Sequence, residues 1–199
     1  VAMHNQIADL AEKHPGRIYG LVSLNPHVGK EDYFKEAQRC VKELGFVGLK
    51  IHTIGHAVLP LSEDADTVFQ AARELKVPVM VHSGPGIPFA LPSLCIPKAR
   101  QYPDVSIIIA HAGFTILTGE AWVAATECDN IYLETSWLFG DDVLWLIDSL
   151  GADRVMMGAD LPKNVGPAMA VTETLGLSEE QKALYLGGTA ARVFGLKAP

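Results

Sequence analysis

The stretch that decides the fold reads VPVMVHSGPG, from Val77 to Gly86. A run of β-branched and apolar residues stops on His82 and then passes into glycine and proline. Two further apolar runs end in the same way, VSIIIAHAG on His111 and RVMMGADLP on Asp160. Because histidine and aspartate are metal ligands and acid–base groups, we expect these three strand ends to belong to one site.

The composition bounds the class of protein. The chain has 199 residues, of which 49% are hydrophobic, and its formal net charge is -7. These values predict one domain over residues 1–199 with a large core, and they argue against a nucleic-acid partner. No apolar run reaches the ~20 residues of a membrane-spanning helix. The three cysteines, without a C-x-x-C pair, indicate a reducing compartment, so we expect a cytoplasmic protein with a small-molecule substrate.

Six apolar runs recur along the chain at the spacing of βα units. They are continuous rather than alternating, which predicts a parallel sheet covered on both faces. The predicted strands are Ile18–Leu24, Phe46–Ile51, Val77–Val81, Val105–Ala110, Ile131–Leu133 and Arg154–Met157. Helical patterns fill the gaps, from Glu31 to Leu44, from the Ser62 cap to Leu75, from Asp141 to about Leu150 and from Ser178 onward. The N-terminal segment also has a helical pattern.

Strands that alternate with helices predict an α/β fold. An open doubly wound sheet and a TIM-type (βα)8 barrel compete, but no G-x-G-x-x-G or P-loop signature favours the nucleotide-binding form of the open sheet. The barrel accounts for the polar strand ends, since TIM-barrel active sites lie at the carboxyl ends of the strands. Six strands in 199 residues fall short of the ~250 residues of a barrel, so we expect an incomplete one that lacks its first two strands.

The polar residues at the strand ends suit a divalent cation such as zinc or manganese. We predict that His82, His111 and Asp160 hold the metal and that Asp160 and His111 are catalytic. Lys50 and His52, which follow the strand GFVGLK, are predicted substrate-binding residues. Other roles stay open: a structural hydrogen bond for either histidine, a helix cap for Asp160, a modified metal ligand or an ordinary mouth residue for Lys50, and a solvated loop for His52.

The other histidines and the tryptophans are predicted to have surface, loop or packing roles, although His56 could reach the same site as His52 and Trp137 follows a strand end. We expect surface positions for His4, His14 and His27, a solvated loop for His56, and packing roles for Trp122, Trp137 and Trp145.

Seven motifs occur in order along nearly the whole chain: HPGRIYGLVSLNP, ELGFVGLKIHT, VPVMVHSG, VSIIIAHAG, NIYLETS, DRVMMGADLP and GGTAARVFGL. As an ordered set they resemble the amidohydrolase-related family, the branch of the amidohydrolase superfamily that includes aminocarboxymuconate-semialdehyde decarboxylase and related metal-dependent hydrolases. The resemblance implies a (βα)8 barrel. It also implies that His82 binds metal, that His111 contacts substrate or activates water, and that Asp160 binds metal and transfers protons.

The chain departs from the family pattern at two points. It has no H-x-H pair, which the family carries on its first strand as two metal ligands, and Ala159 stands where the family usually has serine. The chain is therefore a fragment, a short form completed by a partner, or a relative without metal. An open barrel would expose apolar strand faces and a sheet edge, so we expect a homo-oligomer.

Three functions remain open at this stage. The first is a metal-dependent hydrolase that attacks a small carboxylated or cyclic substrate with metal-activated water, with zinc as the first choice of metal and manganese as the second. The second is a metal-dependent, non-oxidative decarboxylase of an aromatic or unsaturated acid. The third is a catalytically inactive, truncated barrel that has lost its metal.

Overall fold

A computed structural model describes residues 1–86 and 88–196 of the chain. Six strands form one parallel sheet: β1 (Leu21–Val22), β2 (Gly48–Ile51), β3 (Val79–His82), β4 (Ile107–Ala110), β5 (Ile131–Glu134) and β6 (Val155–Met156). Each strand pairs with the next one along the chain, so the order in the sheet is β1-β2-β3-β4-β5-β6. All six predicted strands are present, although β1 and β6 are shorter than predicted.

The strand order separates the two competing architectures. A doubly wound sheet reverses its order at a switch point, whereas strands of a TIM barrel follow one another in sequence. The sequential order found here is that of the TIM-type barrel and confirms the predicted fold class. Within the described residues β1 and β6 each have a single neighbour, so these six strands form an open arc of a barrel.

Nine helices accompany the sheet in the described ranges: α1 (Ala2–Lys13), α2 (Lys30–Lys42), α3 (Glu63–Leu75), α4 (Cys95–Gln101), α5 (Thr118–Glu127), α6 (Gly140–Leu150), α7 (Val165–Thr174), α8 (Glu179–Ala183) and α9 (Thr189–Val193). The predicted caps are confirmed, since Ser62 Oγ accepts the Ala65 N–H and Ser178 forms a capping box with Gln181. Among the parts of the chain that the structure describes, no helix is long and apolar enough to cross a membrane.

Alternation along the strands divides the sheet into two faces. Strand residues at alternate positions join the core between sheet and helices: Leu49, Ile51, Val79, Val81, Ile107, Ile109, Ile131, Leu133 and Val155. Because successive strand side chains point to opposite faces, the intervening residues Lys50, Met80, His82, Ala110 and Glu134 lie on the concave face. The helix-facing core therefore fixes the strands, and the concave face is left for the site.

The predicted surface position of His4 is wrong. His4 is only 3% exposed, its Nδ1 lies 2.7 Å from Glu36 Oε1 on α2, and its Nε2 accepts the backbone N–H of Ser23. Arg39 completes this cluster by donating two hydrogen bonds of 2.8 Å to the two oxygens of Glu36. The sequence did not reveal the cluster because the partners of His4 come from other elements. His14 and His27 are exposed, as predicted.

The Glu36 cluster predicts a loss of stability in acid. The Arg39 guanidinium, which donates to the Glu36 carboxylate, lowers the pKa of Glu36 from 4.5 to about 2. Because this pKa is depressed in the folded state, the stabilisation is complete above the unfolded value of 4.5 and is lost as the pH falls through about 2. Thermal melting across this window should show a falling Tm. The Glu36→Gln variant should lose less over the same window, and equal losses would contradict the assignment.

Candidate active site

The structure brings the two predicted histidines into contact at the carboxyl ends of their strands. His82 is the last residue of β3 and pairs with Ala110, the residue before His111. His82 Nδ1 lies 3.1 Å from His111 Nε2, and the two rings meet at 71°. This contact follows from the register of β3 and β4, which places both side chains at one end of the arc.

A chain of hydrogen bonds runs from these histidines to a buried carboxylate. Ser136 Oγ donates to Glu134 Oε2 at 3.0 Å and lies 2.6 Å from His111 Nδ1. The Ser136 hydroxyl donates its only proton to Glu134, so His111 Nδ1 must donate to the serine oxygen. His111 Nε2 then carries no proton and must accept from His82 Nδ1. This tautomer assignment leaves the lone pair of His82 Nε2 free to bind a cation, the usual arrangement of a metal-binding histidine.

Glu134 is the anchor of this chain. Its two oxygens accept the backbone N–H groups of His111, at 2.9 Å, and of Ser136, at 2.8 Å. Burial raises the pKa of Glu134, and the N–H groups that point at it act in the opposite sense. Glu134 and Ser136 belong to the polar ETS that follows the strand NIYL, a strand end of the same kind as His82, but the sequence predicted no specific role for either.

Burial also sets the protonation of the two histidines. Desolvation lowers the pKa of His82 to about 4 and the pKa of His111 to about 3, and the nearby cationic groups of His52 and Lys50 act in the same direction. Both rings are therefore neutral near pH 7, which is the state that can donate a lone pair to a metal. His111 already uses both ring nitrogens in hydrogen bonds, so its predicted role as a metal ligand stays a prediction.

Asp160 lies on the same rim, four residues after β6. It is exposed, and its Oδ2 accepts a hydrogen bond of 2.8 Å from Trp137 Nε1. It does not cap a helix, because the next helical segment begins after Leu161 and α7 after Asn164. Trp137 packs against Phe114 and is otherwise exposed, at 47%. Trp122 and Trp145 pack against each other, with ring centroids 5.7 Å apart.

The donor atoms of His82 and Asp160 are of the types that bind a divalent cation. His82 offers a neutral imidazole nitrogen, and Asp160 offers a carboxylate oxygen, Oδ1, that no protein group bonds within the described residues. His82, His111 and Asp160 do not have their ligand atoms within 4.8 Å of one another, and the one group of three donors that meets this distance in the described chain is His4, Glu36 and Cys40. That buried group is already hydrogen-bonded, and burial raises the pKa of the Cys40 thiol to about 12.

Lys50 lies in a cavity of about 300 Å³ on the concave face, whose wall includes His111. Apolar side chains provide much of its wall, among them Met80, Met156 and Met157. Among the described residues, Lys50 Nζ has no hydrogen-bond or ion-pair partner. Desolvation lowers its pKa, and the negative charges of Glu134 and Asp160 oppose that shift. An ammonium group without a partner in such a cavity can pair with an anionic oxygen of a ligand.

His52 is half-buried rather than solvated, because its ring stacks on His82 with centroids 4.6 Å apart and 19° between the planes. Its Nδ1 accepts the backbone N–H of Gly55, so Nε2 carries the proton and is available as a donor. His56 accepts the backbone N–H of His52 and is also half-buried. The loop after β2 is therefore folded against the rim.

Two decarboxylases are similar in sequence to this chain. The γ-resorcylate decarboxylase of Polaromonas sp. (strain JS666 / ATCC BAA-500) is 27% identical, over 96% of this chain and 74% of that protein. The 2-amino-3-carboxymuconate-6-semialdehyde decarboxylase of Dictyostelium discoideum is 25% identical, over 98% of this chain and 66% of that protein. The chain thus spans about two thirds to three quarters of the length of these relatives.

A solved structure shares the fold. It is a dihydroxybenzoic acid decarboxylase from Polaromonas sp. JS666 with bound manganese and the inhibitor 2-nitroresorcinol. It matches with a TM-score of 0.77 and 22% identity, over 100% of this chain and 75% of that chain. The amidohydrolase family profile matches residues 1–196. This match confirms the resemblance drawn from the seven motifs: the chain belongs to the amidohydrolase family.

Proposed function

We propose that this chain carries out the metal-dependent, non-oxidative decarboxylation of a planar aromatic or unsaturated acid. The observation that carries the proposal is Lys50, an ammonium group without a protein partner among the described residues, in a largely apolar cavity that His111 and Asp160 also line. Loss of carbon dioxide disperses the charge of a carboxylate, and a weakly polar cavity favours that change. The decarboxylases among the relatives support this reaction over the predicted hydrolysis.

The residues of the rim have separate roles in this reaction. His82 Nε2 and Asp160 would hold a divalent cation, which supplies charge to bind and orient the oxygens of the substrate. Lys50 pairs with a phenolate or second carboxylate of the substrate. His111 keeps the His82 ring in its orientation through the 3.1 Å hydrogen bond. Manganese in the solved relative makes it the first metal to test, and zinc stays a prediction.

The chemical step breaks the bond between the carboxylate carbon and the substrate carbon. The electron pair stays on the substrate carbon, carbon dioxide leaves, and one proton is added to that carbon. Asp160 is the group that we assign to deliver the proton, because its carboxylate is exposed and can take a proton from water. The overall change consumes one proton for each carbon dioxide released.

The test is carbon dioxide release from 2,6-dihydroxybenzoate by protein loaded with manganese. We expect release that stops after chelation and returns when manganese is added. The His82→Ala variant should lose the bound metal and at least about 100-fold in rate, because one of the metal ligands is gone. The exposed His14 gives the matched control, His14→Ala, which should leave both unchanged. Release at the wild-type rate by His82→Ala would contradict the proposed site.

Hydrolysis is the second candidate, and the exposure of Asp160 favours it, since this carboxylate can also act as a base on a water molecule. The same protein should then open an aromatic lactone without releasing carbon dioxide. Neither reaction, together with no bound metal after incubation with manganese or zinc, would support the inactive barrel instead.

A further inference from the structure

The rim of the site concentrates backbone strain. Eight residues other than glycine have a positive φ in the described chain, and six of them lie at this rim: His111, Ala112, Phe114, Thr115, Trp137 and Asp160. A positive φ is costly for residues with side chains, and most of all for bulky ones such as Trp137, at φ 70°, and Phe114, at φ 55°. Strain of this kind persists where the fold holds side chains in positions that serve a function.

The strained backbone presents an aromatic wall. The ring of Phe114 lies 4.7 Å from the His111 ring, centroid to centroid, and stacks on the Trp137 indole at 6.0 Å with 12° between the planes. Phe114 thus covers part of the indole on the side of the histidines. Trp137 nevertheless remains 47% exposed, so part of the indole is open to a planar ligand.

The indole N–H fixes the position of the aromatic wall relative to the Asp160 carboxylate. Trp137 Nε1 donates to Asp160 Oδ2 at 2.8 Å, so the ring plane and the carboxylate are held together. A planar group resting on the exposed part of the indole would lie beside Asp160. The same hydrogen bond leaves Asp160 Oδ1 free of protein partners within the described residues.

We propose that Trp137 is the platform for the conjugated ring of the substrate and a positioning residue for Asp160. The ring stacks on the exposed indole, and the indole N–H restrains the Asp160 carboxylate. Decarboxylation supplies the identity of the acid, so this inference deepens the proposed function. The stacking itself is independent of turnover and can be measured by binding alone.

Two substitutions separate the two roles of Trp137. Trp137→Leu removes both ring and N–H, whereas Trp137→Phe keeps a ring and removes only the N–H. Trp145 is a matched control, because it is also exposed, at 41%, and contacts Trp122 rather than the rim. Binding of 2,6-dihydroxybenzoate and of the saturated cyclohexanecarboxylate is measured by calorimetry on the manganese-loaded protein, and folding is checked by circular dichroism.

The wild-type protein and Trp145→Phe should bind the aromatic acid roughly tenfold more tightly than the saturated acid. Trp137→Leu should lose that ratio. Trp137→Phe should keep most of it and should bind manganese about tenfold more weakly, because the Asp160 carboxylate is no longer restrained. If Trp137→Leu does not fold, Trp137→Phe still tests the hydrogen bond from Trp137 to Asp160. This variant should keep the ratio of affinities for the aromatic and the saturated acid and should bind manganese more weakly.

An aromatic preference that survives in Trp137→Leu would overturn the platform. So would a change in the mass of the protein in solution on that substitution, since the exposed indole would then belong to an interface between chains. If the protein releases carbon dioxide but its preference for the aromatic acid does not depend on Trp137, this inference is refuted and the proposed function stands. A preference that depends on Trp137, without any carbon dioxide release, would refute the proposed reaction and leave the platform.

Discussion

Gly158→Ala is expected to destabilise the protein by about 3 kcal/mol and to disrupt the site. A Cβ at Gly158 would overlap Oε1 of Glu134 and crowd the rest of its carboxyl group. The carboxylate would have to move, and the backbone N–H groups of His111 and Ser136 would lose their acceptor. Urea unfolding and manganese affinity, measured on the same preparations, check both consequences.

Gly166→Ala is the matched control for this prediction. Gly166 lies on α7, and a Cβ there would meet no atom within 4 Å. Alanine in a helix is favoured over glycine, so this variant should change stability by no more than about 1 kcal/mol, in the stabilising direction. Equal stabilities of the two variants would show that Glu134 has room to move and does not anchor the rim.

Asp160→Asn should reduce carbon dioxide release by a factor of about 10² to 10⁴. The amide has nearly the shape of the carboxylate and still offers an oxygen to Trp137 Nε1, so the rim should keep its structure. The negative charge that helps to bind the cation is lost, and so is the group assigned to carry the proton. Steady-state rates at saturating manganese separate the loss of proton transfer from the loss of metal.

Asp148→Asn controls for the change of net charge. Asp148 is exposed on α6, away from the rim, and its substitution should leave rate and metal affinity unchanged. If Asp160→Asn released carbon dioxide at the wild-type rate with full metal occupancy, the proton would have to come from another group.

The fold was predictable because its signals are local and repeated. A continuous run such as VSIIIA can be satisfied only by a strand buried on both faces, and capping residues such as Ser62 mark helix starts within a few positions. The bounds of β1 and β6 were not predictable, because hydrogen bonding to a neighbouring strand, rather than local apolar content, decides where a strand ends.

The structure brings several of the predicted site residues together and adds hydrogen-bond partners that were not predicted. His82 and His111 do meet, as expected for neighbouring parallel strands, and Lys50 and His52 lie on the same face. Metal binding by these residues, substrate binding by Lys50 and His52, and association of the chain with itself remain predictions. Comparison with relatives shifted the proposed reaction from hydrolysis to decarboxylation.

The sequence by itself determined the six strands, their parallel direction and the edge of the sheet where chemistry would lie, because hydrophobic periodicity and strand-end polarity are properties of short segments. Only the tertiary structure decided which side chains share hydrogen bonds there. The chain from His82 through His111 and Ser136 to Glu134 joins residues up to 54 positions apart, and the bond between Trp137 and Asp160 spans 23. Such pairings depend on register, on backbone strain and on the space left by Gly158, none of which a linear pattern encodes.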